Sequence, residues 1–240
     1  MNRESSIWVL NSVHWYEAIF RTHGLSGAIA DGLWTSYDRP PPYYSNAVTL
    51  TPSATAAQVA TLRGLVSVLD PPWSVKDSFS ALDLSPLGFR PLFDADWIWT
   101  DDRAVATPDR GAAIWRPVTT PTALERWEAA WRANGSPTDR RVFLPKLLRD
   151  GTIAIFAAYQ GDAIVAGCAA NRSAEAVGFS NFFVADEDED AATASAINAV
   201  ARFGGGLPVV GYETGESLAR MRRLGFRAVG PLRVWVTVAG

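Results

Sequence analysis

The sequence predicts a mixed α/β fold (α+β, one mixed sheet per unit) made of two fused, similar units, and three observations lead there. The string Leu87-Gly88-Phe89-Arg90 returns as Leu224-Gly225-Phe226-Arg227. Each copy runs into a tryptophan-bearing strand pattern, Asp96-Trp97-Ile98-Trp99 in the first and Arg233-Val234-Trp235-Val236 in the second. Upstream, Ser45-Asn46-Ala47-Val48-Thr49-Leu50 matches Ser180-Asn181-Phe182-Phe183-Val184-Ala185, and the offsets from 45 to 180 and from 87 to 224 agree to within two residues. A repeat this long exceeds solenoid units of roughly 20 to 50 residues and points to fused domains. Around these anchors, short apolar runs alternate with segments of helical periodicity, as in a sheet covered by helices.

Composition bounds the rest. With 240 residues, 48% of them hydrophobic and 20% charged, the chain has ample material for a core. A formal net charge of −3 offers no general electrostatic reason to meet nucleic acid or an anionic membrane. No stretch approaches the roughly 20 apolar residues that span a bilayer, and Met1 to Ser6 lead into no signal-type block, so the cytoplasm is the default expectation. Cys168 is the only cysteine, and its neighbours Val165, Ala166, Gly167 and Ala169 predict a buried strand thiol. His14 and His23, the only histidines, fall in a predicted N-terminal helix with no cysteine cluster, so no metal site is expected.

The second half reads most clearly. Gly111 to Val118 is a short first strand. Thr120 or Thr122 caps a helix whose first turn suits Pro121 and whose apolar face repeats at Leu124, Trp127, Ala130 and Trp131. Asn134-Gly135-Ser136-Pro137 breaks it, and Val142, Phe143, Leu147 and Leu148 predict a second helix ending near Asp150-Gly151. Three strands follow as a meander, Thr152 to Tyr159, Ala163 to Ala170 and Ala176 to Ala185, with Gln160-Gly161-Asp162 turning the first into the second. A helix from about Asp190 to Phe203 stops at Gly204-Gly205-Gly206. Pro208 to Tyr212 is a short strand, Ser217 to Leu224 a short helix, and Phe226 to Val238 closing strand structure.

This order, βααβββαβαβ, with a strand entering a helix at 184 to 190 and Leu224-Gly225-Phe226 ahead of the last strands, resembles the GNAT N-acetyltransferases. The resemblance covers residues 110–240 and implies tandem GNAT-like domains: a truncated copy over 1–102, a linker over 103–110 and a complete copy over 111–240. In the first copy, Tyr43 to Leu50 corresponds to the central strand, Thr55 to Leu69 to its helix and Trp73 to Val75 to the next strand. Phe79 to Leu87 and Phe89 to Trp99 close it. Residues 13–37 read as helical rather than as an opening hairpin.

The resemblance implies acetyl-CoA as acyl donor, its diphosphate at a helix N-terminus, where unpaired N–H groups and the helix dipole favour anions. The residues this assigns are Phe183 and Val184 for the carbonyl of the acyl group and Ala192 and Thr193 for the diphosphate, with the helix beginning near Thr193. Yet the loop reads Ala185-Asp186-Glu187-Asp188-Glu189-Asp190, five carboxylates with neither the family's glycines nor a cation. Carboxylates at a helix start also serve as caps pointing into water. The first copy's loop, Thr51-Pro52-Ser53-Ala54-Thr55, is neutral and equally free of glycine.

The family's proton-returning tyrosine, four residues before the glycine of Leu-Gly-Phe, is Leu84 in one copy and Met221 in the other. Its usual asparagine seven residues earlier is Asp77 or Thr214. Tyr212 and Glu213, at a strand end, are the substitute acid and base, weighed against packing and surface roles. Asn46 and Asn181 match across the copies and serve either to satisfy a splayed backbone or, for Asn181, to line the substrate pocket. Trp97, Trp99, Trp115 and Trp235 lie in predicted strands as core, while Trp8, Trp15 and Trp34 also suit a ligand cleft or dimer surface. The leading expectation is acyl transfer from coenzyme A to a small-molecule amine. The alternatives are a catalytically degenerate module binding a cationic ligand or protein partner, and a homodimer-forming scaffold.

Overall fold

In the computed structural model, which describes residues 3–68, 72–101, 113–185 and 188–237, every strand belongs to one sheet. In chain order the elements are α1 (Arg3–Thr22), β1 (Ala28–Ala30), β2 (Leu33–Thr35), β3 (Ala47–Thr49), α2 (Thr55–Val68), β4 (Ser74–Asp77) and β5 (Phe89–Thr100). The second half supplies β6 (Ile114–Pro117), α3 (Pro121–Ala133), β7 (Ile153–Gln160), β8 (Ala163–Arg172), β9 (Val177–Val184), α4 (Glu189–Gly204), β10 (Val209–Glu213), α5 (Gly215–Arg223) and β11 (Arg227–Thr237). The expected linker, residues 103–110, lies outside the described residues.

The strands run side by side as β1-β2-β3-β4-β11-β5-β10-β9-β8-β7-β6. Strand β11, last in sequence, inserts between β4 and β5 of the first half, and β5 in turn stands between β11 and β10 of the second. Both neighbours of each are antiparallel to it, and β5 and β11 pair along their length, from Arg227↔Trp99 to Thr237↔Phe89. Each half thus completes its sheet with the other's closing strand. The recurrent Leu-Gly-Phe marks where these strands begin: Gly88 and Gly225 take the left-handed conformation at φ 80° and 89°, which glycine adopts without steric cost. Leu84 and Met221, four residues earlier, are buried in the core.

Helices α2 and α4 cover one face, packing Leu62 against Leu33, Val75 and Trp235, and Ile197 against Cys168, Phe179 and Val209. Burial pushes the Cys168 thiol pKa well up, as befits a small apolar core residue. Helices α1 and α3 cover the other face, with Trp15, Phe20, Leu124 and Trp127 over Ile155, Ala169 and Phe183. The first half's α1 is tied to the second half: Asn11 Nδ2 donates to Asn171 O (3.1 Å) and Asn171 Nδ2 to Asn11 O (2.8 Å). Gly178 permits this crossing, because a Cβ there would lie 2.1 Å from Asn171 Oδ1 and 2.4 Å from Asn11 Oδ1.

Four local expectations are corrected. Residues 13–37 are not all helical: α1 ends at Thr22, and Asp31-Gly32, at φ 53° and 74°, make the tight turn of a β1–β2 hairpin. No helix forms over 142–148. There the N–H groups of Val142 and Phe143 donate to the buried Glu128 carboxylate (2.6 and 3.3 Å), which Arg141 and Arg132 also engage, and only a 3-10 turn, Pro145–Arg149, follows. Helix α4 starts at Glu189, four residues before Thr193. Finally, Asn46 and Asn181 are not equivalent. The parallel pairs Ala47↔Val75 and Gly178↔Val210 place Asn46 just before its strand's pairing, whereas Asn181 lies three residues beyond the end of its own.

Candidate active site

The cleft between β9 and β10 follows from pairing that stops early. The two strands pair only at Val177↔Val209 and Gly178↔Val210, and then part. Asn181, at φ 52°, sits on the diverging stretch of β9, and the β8–β9 register slips between Gly167 and Ala169. A non-glycine residue in this conformation beside a register slip is a local bulge that swings the strand away from its neighbour. The gap opens into a cavity of about 590 Å³ whose walls include Tyr16, Lys76, Trp97, Asn181, Tyr212 and Glu213.

In the first half β3 and β4 also pair at two positions, Ala47↔Val75 and Val48↔Lys76, but side-chain bonds carry the link further. Thr49 of β3 stays linked to Asp77 of β4, its Oγ1 donating to Asp77 Oδ1 (3.3 Å) and accepting from Ser78 N (2.7 Å). Asp77 also accepts from Leu82 N (2.8 Å) and Phe79 N (3.3 Å). These bonds satisfy the buried carboxylate and hold the segment after β4 in loop form up to the 3-10 turn at Ser85–Leu87.

Two titratable residues that the sequence singled out line the cavity from adjacent positions on β10. On β10, Tyr212 faces the α1 side and stacks edge-on against Trp97, ring centres 5.6 Å apart. Tyr212 is 37% exposed at the cavity wall; desolvation there, reinforced by Tyr16 and Glu213, raises its phenol pKa, so it stays protonated. Its neighbour Glu213 points to the α5 side. Desolvation raises that carboxyl to about 7, against the opposing pull of Arg220 and with a smaller push from Glu189. A carboxyl titrating near neutrality is suited to general base work.

Asn181, Phe183, Val184 and Thr193 also line the cavity; Ala192 does not. Since Ala185 N–H bonds Val165 O (2.7 Å), and successive strand N–H groups alternate sides, the Val184 N–H is directed to the cleft and that of Phe183 toward β8. Phe183 otherwise serves as core, its ring 5.4 Å from Trp127. The diphosphate assignment of Ala192 and Thr193 does not hold locally. Ala192 N–H donates to Asp188 O (2.8 Å), and Thr193 Oγ1 to Glu189 O (2.6 Å), inside the helix. Two first-turn amides, those of Asp190 and Ala191, donate to the Asp188 side chain at 3.0 and 3.2 Å. An internal carboxylate therefore sits where an external anion would.

The acidic loop does have cations, but they come from α5. Arg220 pairs with Glu189 and Asp190 (both 2.7 Å) and Arg223 with Asp190 (3.1 Å), which holds the Asp190 carboxyl below its usual range. Asp186 and Glu187 lie outside the described residues. Sequence reasoning also missed Lys76. It is 1% exposed, on β4, with Nζ 2.9 Å from Ser12 Oγ and 3.9, 4.8 and 5.5 Å from the ring centres of Tyr212, Trp97 and Tyr16. Burial alone lowers its ammonium to about 7. The available signal was a lysine inside the strand sequence Ser74-Val75-Lys76-Asp77. The other wall feature is Tyr44, whose buried hydroxyl lies near Trp15 and Asn181.

Among the described residues, no helix is long and apolar enough to cross a membrane, and no three His, Cys, Asp or Glu gather as a metal site. No family model matches the sequence, and no curated protein matches it. Solved structures do. A GCN5-related N-acetyltransferase from Kribbella flavida aligns over 96% of this chain and 96% of its own, with a TM-score of 0.66 at 13% identity. A conserved protein of unknown function from Staphylococcus epidermidis aligns over 88% and 92%, with a TM-score of 0.62 at 10% identity. A GNAT-family protein from Novosphingobium aromaticivorans aligns over 97% and 99%, with a TM-score of 0.57 at 15% identity. Together with the splayed β9–β10 pair, these likenesses show that the chain has the fold of the GNAT N-acetyltransferases.

Proposed function

We propose that the chain transfers an acetyl or other acyl group from a coenzyme A thioester to a small-molecule amine. The observation that carries this reading is the gap between β9 and β10, which opens onto a proton acceptor, Glu213, and a proton donor, Tyr212. Glu213 takes the proton that the attacking amine must lose. The Val184 N–H, directed into the gap, polarises the thioester carbonyl. As the C–N bond forms and the C–S bond breaks, Tyr212 gives its phenolic proton to the departing sulfur, and solvent resets both groups.

The residues fit the thioester arm better than the diphosphate. Asp188 fills two of the first-turn amides of α4, so most of the diphosphate's contacts fall to Arg220 and Arg223, which must exchange their carboxylate partners for it. That same capping supports a second reading, a module that keeps the cavity for a ligand and no longer transfers acyl groups. Calorimetric titration with acetyl-CoA, followed by a thiol-release assay with a panel of small amines, decides between them. Saturable heat and amine-dependent thiol release are expected of the transferase. Absence of both in the native chain and in Asp188→Ala leaves the binding module.

A further inference from the structure

The most unusual group in the molecule is a cation without a counter-ion. Lys76 is shut away from solvent on β4, its ammonium walled by the rings of Tyr16 from α1, Trp97 from β5 and Tyr212 from β10. Among the described residues Ser12 Oγ is its one hydrogen-bonding contact and no carboxylate pairs with it. Its neighbour Asp77 points to the opposite face and is committed to Thr49, Phe79 and Leu82. A buried charge is costly unless paired. The missing partner has room: Lys76 lines the cavity, and so does Tyr44, whose buried hydroxyl has Trp15 and Asn181 as its nearest polar neighbours. Other polar groups nearby are engaged, Asn11 with Asn171 and Arg220 with Glu189 and Asp190.

We propose that Lys76 and Ser12 form the carboxylate-binding end of the acceptor pocket, so that the acceptor amine also carries a carboxylate and has an apolar or aromatic body. Lys76 and the Tyr44 hydroxyl supply donors to the anion, with charge assistance from the ammonium, and Trp97, Tyr16 and Trp15 line the space for the body. The proposal specifies the substrate class of the transferase site and rests on that reading for the amine. The carboxylate pocket is testable without any thioester.

The probes are 3-phenylpropionate and its uncharged amide, 3-phenylpropionamide, titrated calorimetrically into the full chain at pH 8 in two buffers of different ionisation enthalpy. The acid is expected to bind with uptake of roughly one proton, because the anion draws a proton onto Lys76. It is expected to bind at least about tenfold more weakly to Lys76→Met. The amide should bind both proteins alike. Equal affinity of native chain for acid and amide, acid affinity that survives Lys76→Met, binding without proton uptake, or no binding of the acid each overturns the proposal. Should Lys76→Met fail the near-ultraviolet dichroism check for native packing, the proton uptake of the native chain decides. Acid binding through Lys76, with no thiol release for any amine-bearing carboxylate, would keep the pocket and remove the transferase.

Discussion

Lys76, from the first half of the chain, holds its ammonium 3.9 Å above the ring of Tyr212, from the second. The contact crosses the two long strands β5 and β11, so the cavity is assembled from both halves. It also sets the clearest pH dependence in the molecule. In the folded chain Lys76 gives up its proton near pH 7, whereas unfolded it does so near 10.5. The folded form therefore loses stability from this group as pH falls from about 10 to about 7, and the loss is constant below that. Lys76→Met removes the penalty. Chemical denaturation should show the variant more stable than the native chain by roughly 5 kcal/mol at pH 6, with the gap closing toward pH 10. A gap that does not change with pH would refute the assignment.

Glu213 predicts the shape of the rate profile. Its carboxyl titrates near 7, so transfer should rise with pH through that value and level off as the base form fills. Glu213→Gln should lower the rate about a hundredfold and abolish that limb. Steady-state rates from pH 5.5 to 9 test both; an unchanged limb would exclude Glu213 as the base.

Asp188 has two separable effects. Its carboxylate caps α4, so Asp188→Ala should lower stability by about 1 kcal/mol. It should also free the amides of Asp190 and Ala191 for a phosphate group, tightening coenzyme A binding severalfold in calorimetry. Unchanged coenzyme A binding in the variant would show that the corner plays no part.

Asp77 ties β3 to the loop after β4. Asp77→Ala leaves the amides of Phe79 and Leu82 and the Thr49 hydroxyl without their acceptor, at a cost of about 3 kcal/mol. Urea denaturation measures it, and a change below about 0.5 kcal/mol would mean the loop re-forms its bonds elsewhere.

The sequence was most readable where local chemistry decides the structure. Thr120 caps α3 by accepting Ala123 N–H (3.2 Å), and Gly205 ends α4 at φ 64°. The β7–β8–β9 meander follows the predicted runs within a few residues. Long-range bonds defeated it elsewhere. Glu128 captures the Val142 and Phe143 amides from 14 and 15 residues away, and nothing near those residues announces it. The same holds for the site. Tyr212 and Glu213 could be proposed because they end a strand before a short helix. Lys76 became visible only when β4 was placed on the same sheet as β10, and the cations of the acidic loop only when α5 was folded against α4.

The exchange of β5 and β11 has a consequence for anyone who cuts the chain. A proteolytic nick or a split in the segment joining β5 to β6 would separate two polypeptides, each missing the strand that fills the gap in its own ladder. Neither piece should be soluble as a native monomer. Mixed or co-expressed, the two should reassemble by complementation into a stable heterodimer, with the buried lysine donated by one fragment and its tyrosine lid by the other.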